Sequence, residues 1–246
     1  MEERARAEAT VGGLCKILKR YGIWTGKVLD LCCGTGRMST AFARKGFKAI
    51  GLDISPPYIE EARRRARRQH VESLVRFYIG DMRMMDKVVG LERPFDCVLS
   101  FRNSFGFWGD EVDEAIFTNA RQLTKKGGVL VIGECDHLAQ LMVSFDRTRV
   151  YESKSAVMFS EADMDYISGM FKAKFRYYRK KGDVLTYGDT FDYQARVYTV
   201  SELSSLLKRA GWKVARAYED LQDLEPFTHR SAYKGTSSMN LIARAV

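Results

Sequence analysis

The chain of 246 residues carries 46% hydrophobic and 12% aromatic residues, which is enough apolar surface for a sizeable core and excludes a disordered or collagen-like chain. Its net charge of +9 raises the prospect of an anionic partner such as nucleic acid. The absence of any apolar run of membrane-spanning length and the charged start MEERARAEAT argue against a membrane partner and a secretory signal.

Five cysteines, Cys15, Cys32, Cys33, Cys97 and Cys135, form no C-x-x-C pair, and the adjacent Cys32 and Cys33 are poorly arranged to chelate one metal. They read as reduced, small apolar residues of a cytoplasmic protein with no metal site.

In chain order, GLCKILKRYG spaces Leu14, Ile17, Leu18 and Tyr21 on one helical face and stops at Gly22, which predicts an N-terminal helix over about residues 1–22. KVLDL is a short buried strand, RMSTAFARKG a helix ending at Gly46, and FKAIGLD a second strand. Ser55 and Pro56 suit the N-cap and first turn of a helix containing RRRARRQH, Arg63–His70. There Ile59, Ala62 and Ala66 keep an apolar stripe while the arginines take the other faces, as on a solvated helix.

LVRFYIGD and FDCVLSF supply strands three and four. Asp110 with Asp113 is expected to cap the helix in EVDEAIFTNARQLTKK, with Gly127 and Gly128 stopping it before strand five, VLVIGE. Strands separated by helices predict an α/β fold with a doubly wound, mostly parallel, seven-stranded sheet.

From about Asp136 the rhythm changes to short alternating runs rich in aromatic and β-branched residues, with a KKGD turn. This predicts an antiparallel β cap, residues 136–196, inserted after strand five and lying over the strand ends where open α/β sheets bind ligands. Residues 1–135 and 197–246 then form the main domain. In it Thr199 and Glu202 make a capping box, Leu203, Leu206, Leu207 and Ala210 share a helix face, and WKVARAYED and SSMNLIARAV close the sheet.

The stretch VLDLCCGTGRMS carries the chemistry. A dinucleotide loop reads G-x-G-x-x-G, and here Gly34, Gly36 and Ser39 fill those places, so the third glycine is missing. Asp30 would also repel a pyrophosphate at the following helix N-terminus, whereas a ligand carrying an ammonium and a sulfonium welcomes a carboxylate. Asp53 ends strand two, where a carboxylate can accept both hydroxyls of a ribose. Asp81 ends strand three, placed to accept from an adenine amino group with Met82 packed on the ring.

Three strand-end acids and this loop resemble the class I S-adenosylmethionine-dependent methyltransferases, by motif from Trp24 to about Gly133 and by layout in the last helix and two strands. Cys32 stands where that family's loop usually has its first glycine. The resemblance implies S-adenosyl-L-methionine as cofactor. Asp30, Cys32, Gly34, Thr35 and Gly36 would hold its amino-acid end, Asp53 and Ile54 the ribose, and Asp81 with Met82 the adenine; Phe101 and Asn103 complete the set from strand four.

SFRNSFGFW after strand four adds Asn103 and the rings of Phe101, Phe105, Phe107 and Trp108, suited to a dry pocket around a cationic centre. No N/D-P-P-Y/F motif of amino-adenine and exocyclic-amine methylation is present. Catalytic candidates are Asn103 and His137, the histidine placed just past strand five beside Asp136. Cys135 lies at the same strand end, but the Pro-Cys of cysteine-dependent pyrimidine methylation is absent from strand four. Tyr151, Tyr166, Phe175, Tyr177, Tyr178, Tyr187 and Tyr193 make the cap aromatic, as acceptor-pocket lining or as its own core.

The expected activity is in-line methyl transfer to a small-molecule acceptor under the cap. An RNA or protein methyltransferase, and a cofactor-binding protein without turnover, are the alternatives.

Overall fold

The computed structural model describes residues 2–228, 231 and 238–246. Met1 of the expected first helix and Ser237 of the expected last strand lie outside the described residues. The chain runs α1 (Glu2–Arg20), β1 (Lys27–Leu31), α2 (Arg37–Arg44), β2 (Lys48–Asp53), α3 (Pro56–Arg68) and β3 (Val75–Ile79). A single 3₁₀ turn, Met82–Met84, leads into α4 (Met85–Val89), β4 (Phe95–Phe101), α5 (Asp110–Gln122), β5 (Thr124–Cys135) and α6 (Leu138–Ser144). Then come β6 (Thr148–Glu152), β7 (Ala156–Asp165), β8 (Met170–Lys181), β9 (Val184–Arg196), α7 (Val200–Arg209), β10 (Trp212–Asp220), the two-residue β11 (Glu225–Pro226) and β12 (Met239–Ala245).

The main sheet has the order β3-β2-β1-β4-β5-β12-β10-β11. β1 to β5 are parallel, and β12 inserts antiparallel between β5 and β10. This is the expected seven-stranded, mostly parallel sheet, extended at one edge by the short β11.

Strand alternation sorts side chains to two faces. Leu29, Leu31, Leu130 and Ile132 pack with Phe117 of α5 and Leu203, Leu206 and Leu207 of α7. Val28, Val129 and Val131 pack on the other face with Phe42 of α2 and Leu14, Ile17 and Leu18 of α1. α3 buries Ile59, Ala62 and Ala66 against Ala49, Val75 and Phe77. Capping fixes α7 as expected: the Thr199 hydroxyl accepts from the Glu202 N–H while the Glu202 carboxylate accepts from the Thr199 N–H.

β6, β7, β8 and β9 form a separate antiparallel four-stranded sheet, with Gly182 and Asp183 turning β8 into β9. α6 precedes it, a helix not anticipated in LAQLMVS, which is too short to show a period.

Three local expectations are corrected. Gly127 and Gly128 lie inside β5, not after α5: the register jumps from Phe95↔Thr124 to Cys97↔Val129, so residues 125–128 bulge, with Gly127 at φ 76. Gly109 is the N-cap of α5 in place of Asp110 and Asp113, and Asp113 turns inward instead. Ser55 occupies the N-cap of α3, but its hydroxyl caps nothing there.

Candidate active site

Sheet order reverses between β1 and β4, and the crevice outside their carboxyl ends is where open α/β sheets accommodate ligands. A cavity of about 590 Å³ opens there. Of the expected residues, it gathers Asp30, Cys32, Gly34, Thr35, Asp53, Ile54, Phe101 and Asn103.

Asp30 sits near the end of β1, 3% exposed, and accepts from the Ser39 N–H at 3.1 Å and the Ser39 hydroxyl at 2.6 Å. Gly36 is the N-cap of α2 and has no side chain to do this, so Asp30 supplies the cap from the neighbouring strand. Ser39, standing where a dinucleotide loop has its third glycine, is the anchor. Burial pushes the Asp30 carboxyl up to about 6, against the pull of Ser39.

Gly36 itself is buried behind the crevice at φ 71, where a Cβ would come within 2.7 Å of the Phe77 ring and 2.9 Å of Ala62. Gly34, at φ 53, turns its N–H to the Asp53 carboxylate at 2.8 Å. The second oxygen of Asp53 accepts from the Ser55 N–H at 2.9 Å, so this one carboxylate ties the loops after β1 and β2 together. Ile54 beside it is 66% exposed, an apolar wall left open.

Cys32 keeps the loop with φ 53, a left-handed backbone that costs an L-residue about 1–3 kcal/mol. Arg102, Asn103 and Glu134 share that conformation and also line the crevice. Backbone strain is thus concentrated at this one site, as at ligand clamps. Desolvation, then the charges of Asp53, Asp30 and Asp81, pushes the Cys32 thiol up to about 12.

Asp81 and Met82 stand apart from the other expected residues. Asp81 caps the 3₁₀ turn through the Arg83 N–H at 2.8 Å and pairs with the Arg83 guanidinium at 2.9 and 2.5 Å. That guanidinium lies 4.4 Å over the Trp108 ring and holds the Asp81 carboxyl below its ordinary range. Neither Asp81 nor Met82 lines the crevice; Met82 is a core residue whose sulfur lies 3.5 Å from that of Cys32.

His137 lies just past β5, as expected, and serves there as a cap. It is buried, N-caps α6 by accepting from the Gln140 N–H on Nδ1, and meets Phe227 edge-on, lining neither this cavity nor the one described next.

A second cavity, of about 260 Å³, lies under the four-stranded sheet. Phe105, Phe145, Phe171, Phe175 and Tyr198 give it an aromatic wall. Of the cap aromatics, Phe175 and Tyr193 line it, as does the edge residue Tyr151, which is itself exposed; Tyr166, Tyr177 and Tyr187 are exposed and do not line it. Asn103 and Tyr193 line both cavities. The Asn103 amide donates to the Asp136 carboxylate at 2.6 Å and its oxygen accepts from the Asp136 N–H at 2.8 Å.

The sequence reading named no residue of the N-terminal helix for the crevice. Arg6, Ala7 and Thr10 from α1 line it, and Arg6 reaches Glu134 at 3.4 Å while Arg102 pairs with Glu134 at 3.1 Å. A charged helix start gives no signal of which acid it will meet.

Comparison with known proteins bears on the chemistry of this chain. Residues 28–128 match the family model of a methyltransferase domain. The chain is 25% identical over 225 residues to YqeM of Bacillus subtilis (strain 168), named as a methyltransferase, covering 89% of this chain and 87% of that one. Residues 28–128 therefore carry a methyltransferase domain.

The fold of this methyltransferase is shared with an S-adenosylmethionine-dependent methyltransferase from Clostridium acetobutylicum ATCC 824, at TM-score 0.78 and 15% identity over 98% of this chain and 92% of the other. It is shared too with the amino pentose methyltransferase CalS10 of Micromonospora echinaspora, solved with S-adenosylmethionine bound, at TM-score 0.72 and 18% identity over 98% and 91%. The residues present would fit S-adenosylmethionine as cofactor: a buried carboxylate for a cationic ligand, a backbone opened by Gly34, and an apolar wall at Ile54.

Proposed function

We propose that this methyltransferase acts on a small molecule held under the antiparallel cap, residues 136–196, and that the crevice at the β1 and β4 ends is the cofactor seat. In this reading Asp30 and the Cys32–Gly36 loop face the amino-acid end, Asp53 and Ile54 the ribose, and Asp81, released from Arg83, the adenine. The observation that carries it is the sharing of Asn103 and Tyr193 by the two cavities. A methyl group at that junction is within reach of an acceptor in the aromatic chamber, and in-line transfer needs chiefly that orientation. At about 260 Å³ the chamber suits a compact acceptor rather than a polymer segment.

The basic charge supports an RNA acceptor less than the sequence suggested. Arg64 pairs with Glu60 and Glu61, Arg68 with Glu61, Arg63 donates to the Phe77 carbonyl and Arg65 to the Thr35 carbonyl. Most of the α3 arginines are thereby engaged within the chain. The five unpaired thiols suit a cytoplasmic setting.

The test is transfer of a labelled methyl group from S-adenosylmethionine to fractionated small metabolites, RNA and protein. Label in the small-molecule fraction, lost in Ala162→Phe, which narrows the chamber, is expected; label confined to RNA or protein contradicts the proposal.

A further inference from the structure

The chamber and the crevice share Asn103 and Tyr193 as lining, and this boundary, the portal of the proposal, has few polar groups. Asp136 follows the end of β5, lines the chamber, and is fixed by two hydrogen bonds exchanged with Asn103. Tyr193, projecting from β9, lines both cavities and meets Phe107 and Phe171 edge-on at 5.7 and 6.0 Å. Burial, followed by the nearby Asp136 charge, pushes its phenol up to about 12, so the hydroxyl keeps its proton. The chamber's own cations are engaged: Arg149 pairs with Asp146 at 3.1 Å, and Arg196 with Glu202 at 2.5 Å and Asp110 at 3.4 Å. The fixed anion at the portal is therefore Asp136.

We infer that this portal seats an amine, and that Asp136 is a catalytic residue that touches the acceptor nitrogen, with Tyr193 beside it. The inference rests on the small-molecule reading above. A carboxylate there attracts an ammonium and repels a carboxylate or thiolate acceptor.

The amine enters as its ammonium form and releases one proton to water, leaving a neutral nitrogen whose remaining N–H donates to Asp136 and whose lone pair faces the crevice. Bound in the crevice, the cofactor supplies the methyl group and leaves as a neutral thioether that keeps the electron pair of the broken carbon–sulfur bond. As the new nitrogen–carbon bond forms, positive charge grows on the nitrogen next to Asp136, whose carboxylate is fixed before the charge arrives. The product leaves as its methylated ammonium, so one proton is released per methyl group transferred. The aromatic wall then selects an amine with an apolar or aromatic body.

The test uses the full chain loaded with S-adenosylhomocysteine and three probes of one shape, benzylamine, benzyl alcohol and benzoate, each titrated calorimetrically. Benzylamine is expected to bind at least about tenfold more tightly than benzyl alcohol, with benzoate weakest. Asp136→Asn, nearly isosteric, should bring the amine and alcohol to parity while leaving S-adenosylhomocysteine affinity unchanged. Tyr193→Phe, which keeps the ring, should weaken the amine a few-fold.

Equal or absent binding of the three probes to the wild-type chain, or an amine preference that survives in folded Asp136→Asn, overturns the inference. The wild-type comparison does so without depending on either variant's folding. Failure of S-adenosylhomocysteine to bind would instead strike the cofactor seat itself, so the two failures are distinguishable.

Discussion

At Asp30 the folded chain bears a cost that its own hydrogen bonds do not remove. Its carboxyl rises from 3.8 to about 6 because desolvation outweighs the two bonds from Ser39. Between those values the folded chain holds a proton that the unfolded chain has released, so stability falls as pH rises through this window and stays reduced above it. The rise corresponds to about 3 kcal/mol at neutral pH. Asp30→Asn, which still offers an oxygen to Ser39, is expected to gain about 1–3 kcal/mol in urea unfolding at pH 8, with the gain vanishing near pH 4. A variant that is more stable yet binds S-adenosylmethionine more weakly would mean that the acid is kept for its ligand. A variant no more stable at pH 8 than wild type would contradict the desolvation argument. Cys32 is strained in the same region, at φ 53. Cys32→Gly should stay within about 1 kcal/mol of wild type by thermal unfolding, whereas the β-branched Cys32→Val should lose about 2 kcal/mol or more.

Among the elements, α1 is both core and roof. Leu14, Ile17 and Leu18 are fully buried while Arg6, Ala7 and Thr10 overhang the crevice, so only the first turns of the helix are free to respond to a ligand. Leu14→Ala should cost about 2–5 kcal/mol, but Arg6→Ala less than about 1 kcal/mol, since its partner Glu134 keeps Arg102. The cap is tied down at its return strand. The Tyr198 hydroxyl lies 2.7 Å from Asp113 and 3.0 Å from Asp110, and Asp113 also accepts from the Gly106 N–H, which joins the loop after β4 to the base of the chamber. Tyr198→Phe leaves a buried carboxylate short of a donor and should lose about 1–3 kcal/mol in urea unfolding; an unchanged midpoint would contradict this tie. These elements also show how far a sequence can be read. The strands of the main sheet, the α7 capping box and the KKGD turn were legible because period and turn chemistry are local. The Gly127 bulge passed for a helix stop, since glycine at positive φ serves both. The fold-back of Arg83 onto Asp81, the Arg6–Glu134 bridge and the His137 cap depend on which groups meet in space, and no spacing encodes that.

For the whole molecule, the net charge of +9 carries less weight than its sign suggests, because the arginine run of α3 is largely engaged by its own helix and by the loops beside it. RNA binding in filter assays at physiological salt should be no tighter than roughly micromolar, as for a non-specific contact. Nanomolar binding with a steep salt slope would favour a nucleic-acid acceptor. Two cavities that share Asn103 and Tyr193 lie at the strand ends, and in the proposed reading one seats the cofactor and the other its acceptor. The most direct measurement is calorimetric titration of S-adenosylhomocysteine into the wild-type chain and Asp53→Ala, with a thermal melt confirming that the variant is folded. Saturable micromolar binding to the wild type and none to the folded variant is the predicted result; undiminished binding to Asp53→Ala, or none to the wild type, would contradict the cofactor seat.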